Sequence, residues 1–193
     1  MTKLNLKPNE LKFLRKLTNC QNTDKYFFLG FSLDLETAEL IDLLCQNTGV
    51  SEAEAYVLTT LLAHYSCAEP TPLTRRLIKF RELPGGNAYE KAFTIRAIQP
   101  IESVFGENPL MLVEAAKVLA GTAANFGDAA ASIPSLHGIP ICYILWGADE
   151  FAASATVLFD ESASCYLPTE DLAVLGELTT CRLKQVQESW KKE

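Results

Sequence analysis

The sequence has little histidine, no closely spaced cysteines and no long apolar run, and each shortage excludes a class of protein. Two histidines among 193 residues leave little imidazole for catalysis or metal binding. The six cysteines all lie well apart, so they lack the spacing of zinc and iron–sulfur motifs. No run approaches the ~20 apolar residues of a membrane-spanning helix. We therefore expect no metal-cluster motif and no membrane association.

Excess positive charge is absent as well. The formal net charge is -7, and the Lys and Arg residues are scattered instead of forming a stripe that neutralises phosphates. We therefore expect no nucleic-acid partner. The first residues carry frequent charges and no apolar core of the kind a signal peptide needs, which predicts a cytoplasmic location.

The composition that is present is that of an ordinary globular protein. The hydrophobic fraction is 48% and the charged fraction is 21%, values that argue against disorder and against a coiled coil. A chain of this length buries enough surface to fold without disulfides, so we predict one domain over residues 1–193. In a reducing cytoplasm the six cysteines are then expected to be mostly buried, small apolar residues.

Apolar residues at helical and strand spacing predict a single α+β domain, with a mostly antiparallel sheet of about five strands packed against about five helices. Segment 122–183 is expected to form the sheet floor and a covering terminal helix. The predicted helices begin near Asn9, Ser51, Asn87, Asn108 and Pro168. The predicted strands lie within 26–34, 76–83, 126–133, 141–146 and 155–160. Segment 37–41 fits either a partner strand or the start of a helix.

The two histidines are the first candidate ligands or bases. His64 lies beside the apolar stripe of the second helix, and His137 lies in a loop next to Gly138. A hydrogen-bonded histidine and a plain loop histidine are the structural alternatives. Neither has a second histidine at metal-ligand spacing.

The segment DESASCYLPTED collects acidic residues around Cys165 and Tyr166. Asp160, Glu170 and Asp171 are the candidate metal ligands, because carboxylates folded together hold a hard cation. Acidic residues in the first turn of a helix also complement its dipole, which is the structural alternative. Neighbouring negative charge disfavours Cys165 as a nucleophile but leaves it available as a ligand.

Two further groups of residues are candidates for contact with a cofactor. Arg81, Gly85 and Gly86 lie in FRELPGGNAY, where glycines precede a helix as in a phosphate-binding loop, although the P-loop lysine is missing. A tight turn with positive φ explains these glycines equally well. Tyr143 and Trp146 on the 141–146 strand are candidate walls of an apolar pocket, as is Tyr166.

The blocks FRELPGG, FGDAA, ILW, ATVLFDESASCYLPTEDLAVLGEL and CRL together resemble a bacterial and archaeal family named domain of unknown function 3786. The resemblance covers about residues 26–183. It implies a protein of strict anaerobes with a link to a corrinoid or another tetrapyrrole, since some members carry an iron–sulfur segment similar to that of the corrinoid iron–sulfur protein. This chain has no matching cysteine cluster. Members often have His at the place of Cys165.

These observations lead to one hypothesis and two alternatives. The chain is expected to be a non-catalytic protein of anaerobic metabolism that binds a bulky, partly apolar cofactor, a corrinoid or haem, through His64, His137 or Cys165. The first alternative is a metal-assisted enzyme that uses the carboxylates near Cys165. The second is a scaffold that contacts a protein partner through an apolar helix face.

Overall fold

A computed structural model describes residues 1–18, 23–45 and 49–191. Its helices pack beside two separate antiparallel sheets. The α-helices are α1 (Pro8–Leu17), α2 (Glu52–Tyr65), α3 (Gly86–Phe93), α4 (Gln99–Phe105), α5 (Leu110–Val118) and α6 (Thr169–Trp190). A π-helical stretch, Thr94–Ile98, joins α3 to α4, so these described helices amount to five continuous bodies.

The strands form a four-stranded and a five-stranded sheet. The strands are β1 (Thr2–Lys3), β2 (Lys25–Phe28), β3 (Phe31–Asp34), β4 (Glu39–Asp42), β5 (Leu77–Lys79), β6 (Thr122–Ala124), β7 (Ala129–Leu136), β8 (Ile139–Trp146) and β9 (Ser154–Asp160). Sheet A has the order β1-β4-β3-β2, and sheet B has the order β5-β9-β8-β7-β6. Every pairing is antiparallel. The α+β class and the five-stranded sheet are confirmed, and sheet A is an addition.

One buried apolar cluster extends across both sheets and the helices. Leu33 and Leu40 contribute to it from sheet A, Ile141 and Phe159 from sheet B, and Leu175 from α6. The opposite face of sheet B carries a small second cluster around Cys142 and Ile144. Because the main cluster is contiguous, the architecture is compatible with the predicted single domain.

The predicted single strand over 26–34 is instead a hairpin. β2 and β3 are joined by a two-residue turn in which Leu29 has φ 48° and Gly30 has φ 76°. A period-two pattern continues through such a turn, so periodicity alone does not distinguish a hairpin from one long strand. Phe27 shares the period-two positions of Leu29, Phe31 and Leu33, yet it is 62% exposed while those three are buried. The ambiguous segment after Asp34 is a strand, β4.

The helix that starts after Ser51 and the terminal helix are confirmed. The Ser51 hydroxyl accepts a hydrogen bond from the Glu54 amide at 3.2 Å, so Ser51 is the N-cap of α2. Helix α6 starts at Thr169 and buries Leu172, Leu175 and Leu183. Helices α1, α3 and α5 are present as well, but their N-caps are Lys7, Gly85 and Pro109, one or two residues from Asn9, Asn87 and Asn108.

The π-helical stretch precedes Pro100, which lies near the start of α4. Proline lacks an amide hydrogen, and its ring crowds the carbonyl four residues earlier, here that of Arg96. The wider π turn relieves this crowding and lets the chain continue as a helix to Phe105.

The cysteines are less buried than predicted. Cys142 is buried, Cys45 is half-buried, and Cys67, Cys165 and Cys181 are exposed. Cys20 lies outside the described residues. The general expectation of buried cysteines is therefore wrong for most of those the structure describes.

Among residues that the structure describes, no helix has the length and apolar character that a bilayer crossing requires.

Candidate functional site

An apolar groove of about 280 Å³ opens between the β2–β3 hairpin and the C-terminal end of α5. We call it the hairpin groove. Its lining consists of residues 26–31, Leu43, residues 118–120, Pro134 and His137. Phe27, Leu43 and Val118 are substantially exposed on it, which is unusual for large apolar side chains on a folded surface.

His137 is the predicted ligand that borders this groove. It lies in the two-residue turn between β7 and β8. The His137 amide donates to the Tyr26 hydroxyl at 3.0 Å, and the Tyr65 hydroxyl donates to the His137 carbonyl. The backbone of this turn is therefore held from two sides while the residue itself is exposed. A ligand on a fixed backbone loses little entropy when it binds.

The hairpin side of the groove is held in place by Arg182, a residue that is 0% exposed. Its Nε donates to the Leu29 carbonyl at 2.8 Å, and its guanidinium carbon lies 4.0 Å from the centroid of the Phe31 ring. Nη2 also donates to the Gly30 carbonyl at 3.4 Å. Arg182 of α6 thus fixes the hairpin turn whose residues line the groove.

Asp42 of β4 is the buried partner of Arg182. The pair is bidentate, with Nη1 to Oδ2 at 2.8 Å and Nη2 to Oδ1 at 2.7 Å. Oδ1 also accepts the amides of Leu44 and Cys45. Burial alone would raise the pKa of Asp42, but the hydrogen bonds and charge of Arg182 hold it below its ordinary value. The pair is therefore an ion pair that joins sheet A to α6.

The sequence analysis did not single out this pair. A signal was present, because Leu172, Leu175, Thr179, Arg182 and Val186 follow one helical stripe. An arginine on a buried stripe requires an acidic partner. The sequence did not identify which acidic residue that is.

His64 lies at a different place, where the end of α2 meets the start of α6. Its Nδ1 is 2.6 Å from Oδ2 of Asp171. The His64 side chain is 55% exposed, while that of Asp171 is largely buried. The carboxylate orients the imidazole, as in many metal and catalytic sites. His64 is thus hydrogen-bonded, which was the structural alternative, and Asp171 is its partner.

Tyr166 connects this corner with the His137 turn. Its ring stacks on Tyr65 at a centroid distance of 6.0 Å. Its hydroxyl donates to the Thr71 carbonyl at 2.7 Å and accepts the Thr71 amide at 2.9 Å. A Cβ on Gly138 would lie 2.5 Å from the Tyr166 hydroxyl. Tyr166 is buried and packs under the turn, so it supports the position of His137 and does not line the groove.

Asp160 forms hydrogen bonds that fix the backbone around it. It accepts five hydrogen bonds, from the amides of Thr74, Arg75 and Ser162 and from the hydroxyls of Thr74 and Ser162. Burial would raise the pKa of Asp160, and the Ser162 and Thr74 hydrogen bonds lower it below its ordinary value. A carboxylate with these partners has a structural role, which the hydrogen bonds favour over the predicted role as a metal ligand.

The three predicted metal ligands are not assembled into one site. Asp160 is buried, Asp171 binds His64, and Glu170 lines a separate hollow of about 180 Å³ beside Tyr89 and Arg96. Within residues 1–18, 23–45 and 49–191, no three His, Cys, Asp or Glu side chains are grouped to hold a metal ion. Cys165 is exposed at the end of a 3₁₀ turn, Glu161–Cys165, and is not part of such a group.

The glycine turn has a structural explanation. Gly85 has φ 77°, and a Cβ on Gly86 would lie 2.0 Å from the Phe80 carbonyl oxygen. The Gly86 amide donates to the Leu83 carbonyl at 2.9 Å, so it is not free to hold an anion. The Thr169 hydroxyl donates to the Pro84 carbonyl, which ties this turn to α6. Arg81 is exposed on the turn.

The predicted pocket of Tyr143, Trp146 and a histidine is not formed. Tyr143 is fully buried, and its hydroxyl donates to the Gly176 carbonyl and contacts the Thr180 hydroxyl. Burial raises the pKa of Tyr143. Trp146 lies at the far end of β8 from His137, about 23 Å from Ile139 at ~3.3 Å per residue. Tyr143 is a core residue, and Trp146 belongs to another surface.

Comparison with known proteins identifies the family of the chain. No curated protein and no solved structure matches it. A family model described as Domain of unknown function (DUF3786) matches residues 28–182. The matched region contains the groove hairpin from Phe28 onward, the His137 turn, the His64–Asp171 contact and Arg182. The match agrees with the range that the sequence blocks indicated, and the chain belongs to this family.

Proposed function

We propose that this protein binds a partly apolar cofactor in the hairpin groove without catalysing a reaction, with His137 as the axial ligand. Haem is the first candidate and a corrinoid is the second. A cytoplasmic location and a role in anaerobic metabolism are part of the same proposal. The observation that carries it is an exposed imidazole on a fixed turn, directly beside an open apolar groove.

The lining chemistry supports a ligand with a flat apolar face. Exposed Phe27 offers a ring for stacking, and Leu43 and Val118 offer aliphatic contact. A neutral imidazole nitrogen is the commonest protein ligand for a transition metal at the centre of such a face. When bound, haem or a corrinoid would supply the metal centre that His137 coordinates.

The size of the groove limits how the cofactor is held. Sites for small molecules commonly occupy ~300–1,000 Å³, and about 280 Å³ is at the lower edge of that range. The groove therefore accommodates one face or edge of a tetrapyrrole and leaves the remainder in solvent. This favours haem, whose face is flat, over a corrinoid, whose ring carries projecting amide side chains.

Titration of the purified protein with haemin, followed by absorption spectroscopy, tests this proposal. We expect a shift of the Soret band at micromolar protein, because imidazole coordination changes the ligand field of the iron. His137→Ala should abolish the shifted band. His64→Ala is the matched control and should retain it, since His64 is hydrogen-bonded to Asp171 away from the groove.

A parallel titration with aquocobalamin distinguishes the two cofactor classes. A spectral change with haemin alone supports haem, and a change with aquocobalamin alone supports a corrinoid. Absence of any change with both compounds at micromolar concentration would contradict the proposal. If His64→Ala and His137→Ala lose the spectral change equally, and circular dichroism shows both variants to be folded, the assignment of His137 as the ligand is contradicted.

A further inference from the structure

Four large apolar side chains are exposed together at the end of sheet B away from His137. They are Leu110, Phe126, Trp146 and Phe151, and each is at least 43% exposed. Leu110 is the first residue of α5 and Trp146 is the last residue of β8. Phe126 lies in the β6–β7 connection and Phe151 in the β8–β9 connection. We call these four residues the loop patch. Contiguous exposed aromatic groups on a folded surface mark an interaction site more often than scattered ones do.

Contacts between the connections hold the loop patch together. Asp128 accepts the Gly147 amide at 2.8 Å, which ties the β6–β7 connection to the end of β8. The Ala148 amide donates to the Gly106 carbonyl at 2.9 Å, which ties the β8–β9 connection to the α4–α5 connection. A Cβ on Gly147 would lie 2.8 Å from Cγ of Pro109, so these backbones touch. The three segments that carry the loop patch are therefore held next to one another at this end of sheet B.

The charge around the loop patch has one sign. Segments 106–110, 125–128 and 147–153 contain the acidic residues Glu107, Asp128, Asp149 and Glu150 and no Lys or Arg. All four acidic residues are exposed. An open hollow of about 470 Å³ lies alongside, and its lining includes Glu102, Glu107, Ala148, Ala152 and Ala153. A lining that combines alanines with glutamates suits a long side chain with an apolar stem and a cationic head.

We propose that the loop patch docks a basic, apolar segment of a partner protein. Aromatic side chains act as anchors in protein interfaces, and complementary charge at the rim steers and selects the partner. In this surface Phe126, Trp146 and Phe151 contact the apolar residues of the segment. A Lys or Arg of the segment enters the hollow lined by glutamates and alanines and meets Glu107. The same acidic rim repels nucleic acid and anionic lipid.

Selection of short random peptides displayed on phage tests this docking surface. The peptides are captured on the wild-type chain after depletion on a variant carrying Glu107→Lys, Asp149→Lys and Glu150→Lys. We expect enriched peptides to combine Lys or Arg with aromatic or aliphatic residues. The synthetic form of the most enriched peptide should bind at least about tenfold more weakly to the charge-reversed variant and to Phe151→Ser, measured by calorimetry.

A matched surface on α2 provides the control. Tyr56 is 75% exposed and lies one helical turn after Glu52, so Tyr56→Ser with Glu52→Lys changes one exposed aromatic and one acidic residue elsewhere. This variant should bind the peptide as the wild type does. The proposal is overturned if no peptide is enriched, if enriched peptides lack basic residues, or if the control variant weakens binding equally. Self-association that Phe151→Ser abolishes in sedimentation would also overturn it, because the occupant would then be a second copy.

Discussion

At the scale of single residues, the most consequential contact is the buried pair of Arg182 and Asp42. Charges removed from water are costly, and this pair is tolerated because each carboxylate oxygen and most of the guanidinium have partners. No buried side-chain nitrogen or oxygen among the described residues lacks a hydrogen-bond partner. The pair positions the hairpin that forms one wall of the groove.

Replacement of Arg182 by Met should lower the free energy of unfolding by ~3–5 kcal/mol, because the Asp42 carboxylate would remain buried without its cation. Adding Asp42→Asn should restore part of the loss, since asparagine keeps an acceptor for the Leu44 and Cys45 amides. Urea denaturation of the two single variants and the double variant measures this coupling.

The exposed pair of Arg76 and Glu161 is the control for that experiment. It has the same short distance, 2.7 Å, but the Arg76 and Glu161 side chains are 67% and 44% exposed. Arg76→Met should therefore cost no more than ~1 kcal/mol. If the losses of Arg182→Met and Asp42→Asn simply add in the double variant, the two residues do not act as a pair.

At the scale of elements, the connections that approach α6 depend on particular backbone conformations. The turn before α3 needs two adjacent glycines for different reasons. Gly85 requires positive φ but has open space around it, whereas Gly86 is in contact with the Phe80 carbonyl. The 3₁₀ turn Phe80–Glu82 and the start of α3 can approach each other only when Gly86 has no side chain.

Gly86→Ala should therefore destabilise the protein more than Gly85→Ala. At Gly85 the cost is the strain of a left-handed residue, ~1 kcal/mol. At Gly86 the added Cβ forces the backbone apart, a change comparable with overpacking and costing at least ~1–3 kcal/mol. Thermal or urea unfolding of the two variants gives the order. If Gly85→Ala destabilises the protein as much as Gly86→Ala or more, the backbone around Gly86 can move to accommodate a side chain.

Element by element, local patterns in the sequence explain much of the fold. Period and capping identified α2 and α6, because each buries one regular face. Short apolar runs identified β8 and β9, and β8 is buried on both faces. These patterns failed at the β2–β3 hairpin, where Leu29 occupies a positive-φ turn position that Asn, Asp or Gly usually takes. They also failed at contacts distant in sequence. Arg182 and Asp42 are 140 positions apart, and His64 and Asp171 are 107 apart. The groove arises from how the hairpin lies against α5, which no local pattern encodes.

At the scale of the whole molecule, two candidate surfaces occupy opposite ends of sheet B. The His137 turn and the hairpin groove lie at one end of the β7–β8 pair, and the loop patch lies at the other. The contiguous core between them is fully packed, with Tyr143, Phe159 and Leu175 completely buried. A cofactor in the groove and a partner on the loop patch would therefore occupy the chain at the same time without steric conflict.

The stability of the whole molecule should depend on two carboxylates that join its parts. Asp42 joins sheet A to α6, and Asp160 joins β9 to segment 74–75. For both, burial opposes ionisation, but hydrogen bonds to the charged form lower the pKa below the ordinary value of 3.8. The unfolded chain therefore binds protons at a higher pH than the folded chain does. Their contribution is complete above about pH 5 and is lost as pH falls through the folded-state pKa.

Urea midpoints measured between pH 7 and pH 3 should show this dependence. The wild type should lose stability below about pH 4. Asp160→Asn should be less stable than the wild type at pH 7, because an amide cannot accept all five hydrogen bonds, and should lose less on acidification. Leu175→Ala is the control, since it lowers stability by core truncation and leaves both carboxylates in place. Parallel acid profiles for Asp160→Asn and Leu175→Ala would contradict the assignment of Asp160, because the lost stability would then be independent of its charge.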